Sequence, residues 1–140
     1  MLRMVSYSHR PKSGQITCYL NRTYHVLTTR DHVRLAFCYL RLYSPLESLE
    51  IFSAALKRFA QSHGKERLYH ETITWAYLLL IHERMHRCGG HQSWEDFAAA
   101  NPDLLIWKNG ILNRYYTEAT LQSDLARRVF VFPDKMVQTR

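Results

Sequence analysis

Residues 66–86 read ERLYHETITWAYLLLIHERMH, and the middle of this stretch, residues 75–81, is apolar on every side of a helical turn. A helix with no polar face has to be enclosed, so the stretch predicts a central helix with other structure packed all round it. Polar residues crowd both ends: Tyr69, His70, Glu71, Thr72 and Thr74 upstream, and His82, Glu83, Arg84 and His86 downstream. At about 1.5 Å of rise per residue, His70 and His82 stand roughly 18 Å apart along the axis. The two ends are therefore separate candidate sites.

The neighbours of this helix are written upstream of it. Thr28 or Thr29 can cap a first helix, Asp31 suits its positive N-terminal end, and His32, Leu35, Ala36, Tyr39, Leu40 and Tyr43 recur at three-and-four spacing. The core face of that helix thus begins with a histidine. Ser44-Pro45-Leu46-Glu47 combines a serine cap, a proline at the first helical position and a capping-box glutamate. Leu49, Phe52, Leu56, Phe59 and Ala60 then form one stripe, which Gly64 ends in the manner of a left-handed C-terminal glycine. The short link to the central helix predicts antiparallel packing.

Downstream, Gly89-Gly90 ends the central helix, Ser93 caps a short helix through Ala100, and Pro102 begins another turn. Short helical pieces are expected at 112–116 and 118–128, then an extended strip at 129–132 before Pro133. The expected fold is all-α: a single-domain bundle of three long helices, about 29–43, 45–63 and 66–88, with shorter C-terminal helices behind them. Residues 1–28 read as a basic N-terminal segment in which 16–20 and 24–27 can pair as a small hairpin. The helical domain covers 29–134, and 135–140 reads as a frayed tail.

A chain of 140 residues suffices for one domain with a sizeable core. No apolar run approaches a membrane span, and no apolar segment with a cleavage pattern opens the chain. Cys18, Cys38 and Cys88 are odd in number and widely spaced, with no C-x-x-C pair, which reads as reduced thiols in a cytoplasmic protein. Lysine and arginine number 19 against 12 acids, and in the first quarter Asp31 is the only acid beside Arg3, Arg10, Lys12, Arg22, Arg30 and Arg34. Such an excess favours an acidic partner or nucleic acid. The cations never run three together, however, and a solvated face explains them equally.

His82-Glu83-Arg84-Met85-His86 matches H-E-x-x-H, in which two imidazoles one helical turn apart bind zinc and the glutamate activates its water. In the extended form of the motif Gly89 is in place, but position 92 is Gln92 and the nearest histidine, His91, comes one residue early. No sheet is expected upstream to bind a peptide, and no third ligand stands at a usual spacing. The plainer alternative is a polar last turn whose His82, Arg84, His86 and Arg87 complement the negative end of the helix dipole.

At the upstream end, His70 and Thr74 enter the side that turns wholly apolar one turn later, with Glu71 about 100° away. Buried polar groups of this kind need partners. The candidate partner is His32, with Asp31 beside it. His32, His70, Glu71 and Asp31 could hold a divalent metal in a nitrogen-and-oxygen site. His70, His32, Glu71 and Tyr69 could equally form a catalytic acid–base group, and a hydrogen-bonded network that fixes helix register is the non-functional alternative.

Residues 27–36 (LTTRDHVRLA), 69–74 (YHETIT), Glu83-Arg84-Met85, 97–105 and 126–134 together resemble a family of small, uncharacterised bacterial helical proteins with T-H-x-x-H and Y-H-x-T-x-T motifs. Thr29 stands where the first histidine of that pattern would be. The resemblance implies a role for His32, Tyr69, His70, Thr72, Thr74 and Glu83, and it supplies no reaction. Three functions follow as expectations. The first is a small enzyme or a metal- or ligand-binding protein with a histidine-lined pocket between the first and third helices. The second is a non-enzymatic module that binds an acidic partner or nucleic acid through arginines, and the third a zinc protease at His82, Glu83 and His86.

Overall fold

Capping chemistry sets where the helices begin. In the computed structural model, which describes residues 28–135, Thr28 Oγ1 accepts the Asp31 N–H at 3.2 Å and the Asp31 carboxylate takes the Thr28 N–H at 2.9 Å. Ser44 and Glu47 exchange the same pair of bonds at 3.3 Å each. These two boxes open α1 (Thr29–Leu42) and α2 (Pro45–Ser62). Further helices are α3 (Glu71–Arg87), α4 (Trp94–Ala100), α5 (Glu118–Gln122) and α6 (Asp124–Arg128), with 3-10 turns at Glu66–Leu68, Pro102–Leu105 and Ile111–Arg114. The described residues contain no strand. The hairpin expected before Thr28 and the tail after Lys135 lie outside the described residues.

The long helices α1, α2 and α3 pack on one another pairwise. Their short links reverse the chain twice, so the start of α1, the end of α2 and the start of α3 share one end of the bundle. The core they enclose runs from Val33, Ala36 and Phe37 through Phe52 to Leu78 and Ile81. It continues into Phe97, Leu104 and Tyr116 of the C-terminal half. Chain reversal at the end of α2 relies on Gly64, whose φ of +64° lies in the left-handed region that glycine enters without steric cost. No helix among the described residues is long and apolar enough to cross a membrane.

Three expectations need correction. The central helix starts at Glu71 rather than Glu66. His70 is extended (φ −137°, ψ 111°) and acts as its N-cap, so 66–68 form a separate turn. Ser123 breaks the helical piece expected at 118–128 by capping α6, accepting the Ala126 N–H at 3.1 Å. The apolar centre of α3 is not buried all round either: Leu78 is fully buried but Leu79 is 43% exposed.

The C-terminal pieces are fastened to α3 at two points. Thr72 Oγ1, wholly buried, divides its one proton between the carbonyls of Ala126 (2.7 Å) and Val129 (2.9 Å) and accepts the Val131 N–H at 3.1 Å. Beside it Phe130 stacks on Trp75, ring centroids 5.4 Å apart. At the other end of α3, Arg84 forks onto the Asp103 carboxylate at 2.8 and 3.1 Å and donates to Asn101 Oδ1 at 2.8 Å.

Candidate functional site

Because three helix ends converge, the bundle leaves a cavity of about 520 Å³ at their meeting point. That volume falls within the range of small-molecule pockets, roughly 300–1,000 Å³. Val33, Phe52, Leu56, Phe59, Ile73 and Ile81 make its wall largely apolar. Polar side chains enter from the start of α1 (Thr29, His32), the α2–α3 link (His63, Lys65, Tyr69, His70), Thr74 of α3 and Arg127 of α6.

The two histidines expected to work together both line this cavity, but they are engaged differently. His70, 7% exposed, spends both ring nitrogens on the fold. Its Nδ1 accepts the Ile73 N–H at 3.2 Å, and its Nε2 lies 2.7 Å from the Leu121 carbonyl, to which it donates. That pair of bonds selects the neutral imidazole with its proton on Nε2. Burial lowers the His70 pKa; the Leu121 carbonyl opposes the shift and the Arg127 guanidinium adds to it. His32 is half-buried, and burial lowers its pKa against the opposing pull of Asp31, with no hydrogen bond from a described residue contributing. Its imidazole is therefore neutral at pH 7 and keeps a donor and an acceptor for something other than the described protein.

Tyr69 also lines the cavity. Its hydroxyl is buried without a hydrogen-bond partner among the described residues, as is the Ser53 hydroxyl. Burial above all, with the Glu71 carboxylate beside it, pushes its pKa up to about 12, while the Ser53 and Thr74 hydroxyls oppose the shift. The carboxylates expected at the site are engaged elsewhere. Glu71 pairs with Lys57 at 3.4 Å, Lys57 sits 5.0 Å from the Tyr69 ring centroid, and Asp31 closes the cap of α1. All 12 acids of the chain fall within residues 28–135, and none of them lines the cavity. Among the described residues no three His, Cys, Asp or Glu side chains are placed to share a metal ion.

At the other end of α3 the H-E-x-x-H residues lie as their spacing demands. The His82 and His86 rings meet edge-on, centroids 4.6 Å apart. Glu83 is turned to Arg87 at 2.6 Å, and the helix stops at Cys88. No third donor from a described residue joins the two imidazoles.

No family model, curated protein or solved structure matches this chain. What the site can do follows from its own groups: a neutral imidazole and a buried phenol can hydrogen-bond a polar atom, and the apolar wall can hold a hydrocarbon or aromatic body. Lys65 and Arg127 are the lining cations that the sequence reading missed, since neither belongs to a recognisable motif. Thr72, for which the family resemblance implies a role, turns its hydroxyl to the backbone of 126–131.

Proposed function

We propose that this chain binds a small, largely apolar organic molecule in the cavity between α1, α2 and α3, with His32 and Tyr69 as its polar contacts. The observation behind this reading is an apolar cavity lined by the His32 imidazole, which no described residue hydrogen-bonds, with the Tyr69 phenol in the same wall. A polar ligand atom would give that imidazole the partner that the described residues do not supply. The same groups suit acid–base chemistry without a metal, His32 accepting a proton from the bound molecule and Tyr69 donating a hydrogen bond to it. In this reading His70 acts by holding the cavity wall in place. A fragment screen by saturation-transfer NMR tests the proposal beside Leu56→Trp, which puts an indole into the cavity. Fragments that bind the parent protein and lose contact in the variant support it; an empty screen, or fragments indifferent to the substitution, would end it.

One observation favours the second reading, an anionic partner for the arginines of α1. The Arg30 and Arg34 guanidinium carbons lie 5.4 and 6.0 Å from the Trp94 ring centroid, and Arg41 lies 5.7 Å from that of Phe37. None of the ion pairs among the described residues uses these three. Guanidinium groups stacked in this way keep their edges for phosphate or carboxylate; that of Arg41 also donates to the Gln92 carbonyl at 3.3 Å. Retention on heparin that fades steeply with salt, and weakens in the Arg30→Gln/Arg34→Gln double variant, is the expected result. Salt-insensitive retention would remove this reading.

A further inference from the structure

The charge of the cavity narrows the class of molecule it suits, given the reading that it binds a ligand at all. Lys65 and Arg127 line it, while none of the chain's acids does. Both cations stand at the same end: Lys65 belongs to the α2–α3 link, and the Arg127 guanidinium donates to the Arg67 carbonyl of that link. Neither takes part in an ion pair among the described residues. Of the acids near this end in sequence, Asp31 is committed to the cap of α1, Glu71 to Lys57 and Asp124 to Arg128, while Glu66, next to Lys65, is exposed and does not line the cavity. The starts of α1 and α3 bring the positive ends of two helix dipoles to this same end.

Away from that end the wall loses its polar groups. Along α3 the lining residues pass from His70 through Ile73, Thr74 and Tyr77 to Ile81, and along α2 from His63 back through Leu56 to Phe52, so that Thr74 is the last polar group before the wholly apolar end, apart from the Tyr77 phenol. The eight steps from Ile73 to Ile81 span about 12 Å. The cavity is thus cationic at its mouth and apolar along its length. We propose that its ligand is a small amphipathic carboxylate, its head held by Lys65 and Arg127 and its hydrocarbon body laid against Phe52, Leu56, Ile73 and Ile81. His32 and Tyr69 add neutral hydrogen bonds beside the head group. Because Lys65 is exposed, its share of this pairing of opposite charges should weaken with added salt.

Calorimetric titration with decanoate and with decanol, at pH 7.5 and low salt, separates the charge from the apolar body. Decanoate is expected to bind at least ten-fold more tightly, equivalent to about 1.4 kcal/mol. In Lys65→Gln, an exposed position, that preference should shrink towards one while decanol affinity stays the same, the latter confirming an intact cavity. Equal affinity of the two probes for the parent protein would overturn the carboxylate inference and leave the binding cavity standing. Binding of neither probe would overturn both. A full preference that survives Lys65→Gln and also Arg127→Gln would show that the head group is held elsewhere, and would overturn the assignment.

Discussion

Replacing His70 tests whether its two hydrogen bonds hold the fold. In His70→Ala the Ile73 N–H loses its cap, worth about 0.5–2 kcal/mol. The Leu121 carbonyl, 2.7 Å from Nε2, is left without its donor, at a cost of ~1–3 kcal/mol. Together these predict a loss of roughly 2–4 kcal/mol in unfolding free energy. His70→Asn keeps a capping oxygen but is too short to reach Leu121, so it should recover about 1 kcal/mol of that loss and no more. The pH dependence has a definite sign. Burial holds the folded-state pKa below the ordinary value of 6.5, so the unfolded chain takes up the proton first as pH falls. Stability from this group is complete above the unfolded value and is lost as pH drops through it towards the folded value. One histidine can contribute at most about 1.4 kcal/mol per pH unit to that slope. Burial lowers the pKa of His32 and His82 in the same direction, so His70→Asn should flatten the wild-type slope without abolishing it. Urea unfolding followed by tryptophan fluorescence at pH 7.5 and 5.5 measures both effects. A His70→Ala variant within ~0.5 kcal/mol of the parent, the size of an ordinary surface change, would refute the reasoning. So would an undiminished pH slope in His70→Asn.

Thr72→Val keeps the shape of the buried side chain but strands the Val131 N–H and the Ala126 carbonyl. It should cost about 2–3 kcal/mol in urea unfolding, with Thr72→Ser retaining most of the stability. Arg84→Met removes the fork onto Asp103 and the bond to Asn101. Since both charged side chains are about a quarter exposed, the expected loss is only about 1–2 kcal/mol and should shrink with added salt. The hydrogen bonds from Arg84 hold the Asp103 pKa below its ordinary 3.8, so this contribution is complete above that value and lost as pH falls below it. Metal analysis of purified protein beside His86→Ala and His70→Ala should give the same substoichiometric zinc in all three. Stoichiometric zinc lost only with His86 would restore the protease reading.

Much of the helical frame was legible because it rests on local chemistry. The Thr28/Asp31 and Ser44/Glu47 boxes, Gly64 and the stripe from Leu49 to Ala60 each act within a few residues, and the structure places α1 and α2 within a residue of expectation. The start of α3 was misread because the polar run 66–70 carries helix-compatible residues. What stops it is the His70 imidazole capping Ile73, a role in which serine, threonine or aspartate is the usual signal. That His70 and His32 come together at the upstream end of α3 was legible from their places on the two helices. Which of the two would be spent on the fold was not, because the deciding partner, Leu121, is 51 residues away from His70. Lys65 and Arg127 were invisible for the same reason: only the packed bundle brings an exposed link and a C-terminal helix to one opening.

The central claim is that the cavity takes a small molecule on the His32 side while His70 remains tied to Leu121. Long-range proton–nitrogen NMR of the histidine rings, with a saturating fragment from the screen, measures both together. The account predicts that the His32 ring nitrogens shift on binding and that His70 keeps its neutral Nε2–H signature. Binding that moves His70 and leaves His32 unchanged would contradict it.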